Sequence, residues 1–184
     1  MEKNFKFIAA GTPEPVIFEK IFAEKPGGGM LPNQSYDVPA GVALGYDSNG
    51  KLAVIKAYKV VAAAESSDTS IKIAKGSGIA VGDVLATGKK GVASTAVDKS
   101  NAAYDTVTVS MGVALAEGAI LYQAASASAS AAVPVYTPKY ILGTNVFAGE
   151  GDKEVKLVNG ANIRKETAMV SDEVVALMKS IEKV

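Results

Sequence analysis

The chain has 184 residues, 48% of them apolar and 21% charged, the profile of a packed globular protein with one main core rather than of a disordered chain. Nineteen basic residues balance nineteen acidic ones, Arg164 is the single arginine, and histidine and cysteine are absent. The even charge and the lack of guanidinium forks speak against a nucleic-acid partner, and the missing histidine and cysteine remove the commonest general base, the commonest metal ligands and any disulfide framework.

The opening "MEKNFKFIAAGTPEP" has no apolar run long enough for a signal-peptide core, and no stretch approaches a membrane span. The expectation is a soluble protein, not secreted by the usual route and without a membrane partner. Residues 1–37 read as an N-terminal arm, since four of the five phenylalanines lie there (Phe5, Phe7, Phe18 and Phe22), followed by the breaker run "PGGGMLPN" from Pro26 to Asn33. Such a segment docks on something else or packs on its own core. If it is an anchor, Phe18 and Phe22 are the expected partner-binding residues, because buried aromatics dominate interfaces. Within it, "EPVIFEKIFAEK" suits a helix opened by Pro15 or an extended strand equally well.

Residues 38–125 read as the β core. Asn49-Gly50 between two apolar stretches predicts a hairpin with a type I′ turn. "TSIKIAKG", "GDVLATG", "GVASTAV", "YDTVTVSMG" and "GAILYQA" add five candidate strands punctuated by turn residues, which indicates a mainly β fold, a small antiparallel barrel or sandwich.

Two of these stretches repeat. At an offset of 36 positions, "IKIAKGSGIAVGDVLATG" (Ile71 to Gly88) aligns with "VTVSMGVALAEGAILYQA" (Val107 to Ala124). Gly76 meets Gly112, Gly82 meets Gly118 and Leu85 meets Leu121, and apolar positions match apolar ones. Each copy is a strand, a turn, an apolar bridge, a second turn and a strand, a unit unable to bury its apolar face alone. Two such units can close against each other with pseudo-twofold symmetry into one β core; the alternative is a chance self-match of a β protein rich in Val, Ala and Gly.

The alanine-serine run "AASASASAA" supplies a linker at 126–133. Residues 134–184 hold extended pieces, with Asn159-Gly160 as a further turn, and they stand apart or pack with 38–125 as a single domain. In "SDEVVALMKSIEKV", Ser171 or Asp172 caps a short C-terminal helix whose Val174, Leu177, Met178 and Ile181 share one face.

No reactive constellation is expected. "SNGK" (Ser48 to Lys51) has a serine-lysine spacing but straddles the hairpin turn. "GDVLATGKK" (Gly82 to Lys90) departs from a phosphate-binding loop in glycine spacing and in Lys90 where Ser or Thr should stand. Asp68, Asp83, Asp98, Asp105 and Glu117 are scattered, mostly in turn-like contexts, where aspartate bonds the local backbone. No catalytic residue, cofactor or metal site is therefore assigned.

From Lys75 onward, "VGDVL", "VDKSNAAYDTVTV" and "GVALAEGAILYQA", followed by the alanine-serine tract and "VYTPKYILG", resemble the phage head fibre protein family of phages and prophages of gut bacteria. The likeness runs from about Val38 to Lys179. It implies a non-catalytic virion component, made in the bacterial host cytoplasm, that decorates the capsid exterior. Its implied partners are copies of itself, as a homotrimer, and the capsid protein, with surface adhesion as a further role. Without a long heptad stretch, a compact knob is expected rather than a fibre shaft.

Two rival functions stand beside this reading. Tyr46, Tyr58, Tyr104, Tyr122, Tyr136 and Tyr140 could rim the site of a carbohydrate- or small-ligand-binding β module. An enzyme working with carboxylates or lysines alone would need Asp83 and Asp98 to converge in one pocket.

Overall fold

The computed structural model describes residues 15–149 and 151–184. In chain order its elements are β1 (Phe18–Glu24), β2 (Gly29–Leu31), β3 (Ala43–Tyr46), β4 (Leu52–Val54), β5 (Ala57–Lys59), β6 (Ser70–Ala74), β7 (Val84–Thr87), β8 (Lys90–Ala93), β9 (Ala96–Asp98), β10 (Tyr104–Thr108), β11 (Ile120–Gln123), β12 (Tyr140–Leu142), β13 (Lys153–Val155), β14 (Leu157–Ile163), α1 (Asp172–Val175) and β15 (Ile181–Lys183). The fold is mainly β, as expected. The strands form sheets ordered β1-β14-β12-β3-β4 (with β15 beside β14), β5-β11-β7-β8, β6-β10-β9 and β2-β13. None of these sheets closes on itself, so of barrel and sandwich the arrangement is stacked sheets.

Three apolar layers hold the stack. Tyr58, Ile71, Ile73, Leu85, Val107 and Leu121 fill the layer between the three-stranded and four-stranded sheets. On the other face of the same four-stranded sheet, Ala86 and Tyr122 join Ile141, Val158, Ala161 and Ile163 of the six-stranded sheet. Leu44, Leu142 and Leu157 turn the opposite way, toward Leu31 and Val155 of the β2-β13 pair. Strands buried on both faces must be apolar at consecutive positions, as Leu85-Ala86, Leu121-Tyr122, Ile141-Leu142 and Leu157-Val158 are. Full burial of one such leucine contributes about 2 kcal/mol.

The pairing registers reveal how the repeat is used. Ile71 pairs with Val107 and Ala86 with Tyr122, so residues 36 positions apart lie directly opposite each other in two different antiparallel sheets. Antiparallel neighbours that are also sequence equivalents are related by a local twofold, the relation that pseudo-twofold packing of the two copies requires of both pairs. The outer strands obey it too: Tyr58 of β5 pairs with Leu121, and Val92 of β8 pairs with Leu85, an offset of 34. Turn and edge bonds repeat in step, Val61 N to Lys72 O (3.0 Å) matching Thr95 N to Thr108 O (2.9 Å). The duplicated unit is thus larger than the sequence match, residues 56–88 and 90–124. Positive φ at Gly76 (76°) and Gly112 (61°) makes the equivalent turns.

Several local expectations change. The β3-β4 hairpin forms, but only Gly50 has positive φ (74°), and Asp47 accepts from Gly50 N through its carbonyl and from Asn49 N and Lys51 N through Oδ1. That is a type I turn closed by a left-handed glycine, not type I′. Asn159-Gly160 is no turn: both residues lie inside β14, and Gly160 leaves room for the Ala23 methyl, 3.1 Å from where a Cβ would stand. Within "EPVIFEKIFAEK", Phe18–Glu24 forms the strand β1, an edge of the main sheet, while β2 of the same N-terminal segment pairs with β13; Phe5 and Phe7 lie outside the described residues. The alanine-serine run is ordered too. Ala132 is buried, Gly91 and Ser128 exchange backbone bonds, and Tyr122 Oη donates to Gly88 O (2.9 Å) and Ala132 O (3.2 Å).

Of the two candidate caps Ser171, not Asp172, caps α1, its Oγ accepting from Val174 N. The helix stops after four residues, however, because Leu177 N and Met178 N bond three residues back and Ile181 to Lys183 pair in parallel with β14. Leu177 therefore points to solvent, 56% exposed, and leaves the predicted apolar face.

Candidate functional site

The densest grouping of polar side chains among the described residues gathers at the turn 80–83, just before β7. Gly82 has φ 91°, which brings Ala80 and Asp83 together. Asp83 N donates to Ala80 O (3.1 Å), and Asp83 Oδ2 accepts from Ala80 N (3.0 Å). The buried hydroxyl of Ser94, just after β8, braces the turn, accepting from Gly82 N and donating to Ala80 O, each at 3.1 Å.

So held, Asp83 faces three side chains, Lys56 just before β5, Tyr58 of β5 and Gln123 of β11. Oδ2 accepts from Lys56 Nζ (2.9 Å) and from Tyr58 Oη (3.0 Å), and Oδ1 accepts from Gln123 Nε2 (3.4 Å). Lys56 and Asp83 are 19% and 13% exposed, so this ion pair is shielded from water and salt. Burial first, then the Asp83 charge, push the Tyr58 phenol well above its ordinary value. The Tyr36 phenol is raised by the same causes in the same order, with Tyr136 adding to them. Tyr36 reaches in from the segment between β2 and β3, its ring seated on Gly78, where an added Cβ would stand 2.6 Å away.

Beside this cluster lies a cleft of about 280 Å³ lined by Tyr36, Val38, Val42, Val54 and the stems of Lys56 and Lys75. Both ammonium groups are engaged elsewhere: Lys75 Nζ bonds Asp105 Oδ1 (2.6 Å) and Lys99 O (2.7 Å). Asp83 uses both oxygens, and its phenol partner is held neutral. Chemically the cluster ties strands together. Among the described residues no three histidine, cysteine or acidic side chains gather as a metal would require.

Asp98 does not join Asp83. It ends β9, and hydrogen bonds from Ser100, the backbone N–H first, hold its carboxyl below the usual range. Asp68 likewise accepts from Glu65 N (2.8 Å), and Glu117 lies in the turn before β11. "SNGK" is the β3-β4 turn, and "GDVLATGKK" runs from the 80–83 turn through β7 into β8 with no helix after it.

Phe18 and Phe22 are not brought together. Glu19 and Phe22 are extra residues in β1, skipped where Phe18, Lys20, Ile21 and Ala23 pair with Ile163, Asn162, Ala161 and Gly160. Each bulge changes the phase of the side chains. Phe18 and Ile21 pack against the core layer, while Phe22 is 57% exposed with Lys20 Nζ 5.4 Å from its ring.

Lys56, Tyr58, Gln123 and Tyr36 were not singled out as a group by the sequence. One signal pointed there: in the repeat, Asp83 stands opposite Ala119 and Gly78 opposite Ala114, two mismatches among several that also include Lys75 opposite Met111, Ser77 opposite Val113, Val81 opposite Glu117 and Gly88 opposite Ala124. No protein-family model, curated protein or solved structure matches the chain.

Proposed function

We propose that the chain is a non-catalytic structural protein of a phage particle that decorates the capsid exterior, with its own copies and the capsid protein as partners. The observation that carries this reading is the local twofold framework. Two glycine-hinged units devote their interior to apolar layers, and the strongest polar cluster is spent on holding strands. A chain organised in this way offers surfaces, and decoration of a symmetric shell is a task for surfaces. The likeness at "VGDVL", "VDKSNAAYDTVTV" and "GVALAEGAILYQA" supplies the particle. Capsids induced from the encoding bacterium and stripped of loosely held proteins provide the test. Purified chain should sediment with them saturably; a chain left in the supernatant at every ratio contradicts the reading.

A second reading, a carbohydrate-binding module, has one observation in its favour. Tyr46 and Tyr140 stand edge to face, 6.2 Å between centroids, with Lys139 Nζ 5.3 Å from the Tyr46 ring. Tyr46 also borders a cleft of about 350 Å³ with Met30 and Asp152. Specific signal on a glycan array, lost in Tyr46→Ala, would favour it over decoration.

A further inference from the structure

We propose that β1 is a self-association edge, along which two copies of this chain meet antiparallel about a twofold axis at Phe22. The inference goes beyond the decoration reading and does not depend on it.

The edge is available. β1 pairs with β14 on one side, and among the described residues no strand pairs with its other side. At seven residues it is also the longest edge strand among the described residues, the others (β2, β4, β5, β6, β8, β9, β13 and β15) having three to five. Phe22, 57% exposed, sits where a bulge re-aims a large apolar side chain outward. Exposed Lys20, Glu19 and Glu24 surround it, so the patch is a single aromatic ring framed by charge.

The charges choose the occupant. Reading outward from Phe22, Lys20 and Glu24 are each two positions away, and Glu19 and Lys25 are each three. An antiparallel second copy centred on Phe22 therefore sets Lys20 against the second copy's Glu24 and Glu19 against its Lys25, each pair occurring twice, with the two Phe22 rings at the centre. Moving the axis half a residue toward the N-terminus opposes Glu19 to Glu24, and moving it as far the other way opposes Lys20 to Lys25, like charges in both cases. Moving it a whole residue to Ile21 leaves no charge opposite another. Among registers centred within one residue of Phe22, only this one sets opposite charges against each other, which is what an isologous contact there requires. Glu24 keeps a 2.7 Å contact with Lys156, and Glu19 one with Arg164, yet these carboxylates remain 42% and 43% exposed and accessible to a second cation.

Light-scattering mass of the full chain tests this, with wild type beside Phe22→Ser, Lys20→Glu and the double variant Lys20→Glu/Glu24→Lys. Wild type should have a mass that is an even multiple of 18.8 kDa. Phe22→Ser and Lys20→Glu, both at exposed positions, should halve it with thermal melts unchanged, and the double variant should restore it by swapping the signs of the pair. A wild-type monomer overturns the proposal. A wild-type trimer also overturns it while agreeing with the homotrimer that the decoration reading expects; a hexamer cut to a trimer by Lys20→Glu supports both. An even oligomer whose mass ignores every substitution, or one the double variant fails to restore, also overturns the edge contact.

Discussion

In the first of the two repeated units, residues 56–88, the turn before the inner strand carries Asp83, which gathers Lys56, Tyr58 and Gln123. In the second, residues 90–124, the same place holds Ala119, and the counterparts of Lys56, Tyr58 and Gln123 are Lys90, Val92 and Thr87, with no shared acceptor. The backbone bonds of the two turns nevertheless match, Asp83 N to Ala80 O and Ala119 N to Ala116 O both at 3.1 Å. Glycines and apolar side chains thus suffice to build the unit, and the carboxylate adds a tie on one side only. That side is where Tyr36 joins the six-stranded part of the molecule to the repeat.

The comparison breaks most severely at Gly78, whose counterpart is Ala114. Gly78→Ala imposes a side chain at φ 67° and drives its Cβ into the Tyr36 ring, and should cost about 3 kcal/mol in urea unfolding. Gly76→Ala, with the same sign of φ but nothing within 4 Å, should cost only about 1 kcal/mol. Equal costs would show that the Tyr36 contact contributes nothing.

Next in size is the carboxylate itself. Asp83→Ala leaves a shielded ammonium and a buried hydroxyl without their acceptor and should destabilise by about 2 to 3 kcal/mol. The reciprocal Ala119→Asp should change stability by no more than about 0.5 kcal/mol, because the 116–119 turn can take up a carboxylate as its twin does. Chemical denaturation of the pair decides whether the tie is one-sided.

The phenols sharpen the same contrast through pH. Tyr36 and Tyr58 have folded-state values raised above the ordinary 10.0. Their contribution is complete below pH 10 and falls as pH rises beyond it, because the unfolded chain releases these protons first. Denaturation midpoints should therefore drop above pH 10, and Tyr58→Phe should flatten that drop. A midpoint independent of pH from 9 to 11 would contradict the burial of both phenols.

The smallest effect lies at the helix cap. The Lys183 hydrogen bond holds the Asp172 carboxyl below its ordinary 3.8, so its contribution is present above that value and fades as pH falls through the lower folded-state value. Asp172→Asn should cost about 0.5 kcal/mol at neutral pH and nothing in strong acid. A cost that persists in acid would assign the loss to packing rather than charge.

What the sequence made legible was whatever repeats or alternates. Matching glycines at 76 and 112 and at 82 and 118 revealed the unit because each pair needs the same left-handed backbone. The equivalence of β5 and β8 stayed hidden because the second unit is two residues longer before β10, which slips the offset from 36 to 34. Non-local contacts defeated the other readings. Parallel pairing of β15 with β14 ends the predicted helix early, the Ala23 methyl claims the space over Gly160, and bulges in β1 send Phe18 inward and Phe22 out. The Asp83 cluster joins residues from position 56 to position 123 and was visible only as a mismatch between copies.

Particles purified from the encoding bacterium, digested and quantified by mass spectrometry, test the assembly role most directly. Decoration predicts this chain in a fixed ratio to the capsid subunit, removable by mild denaturant without release of packaged DNA. Its absence from particles that contain the capsid subunit would contradict that role.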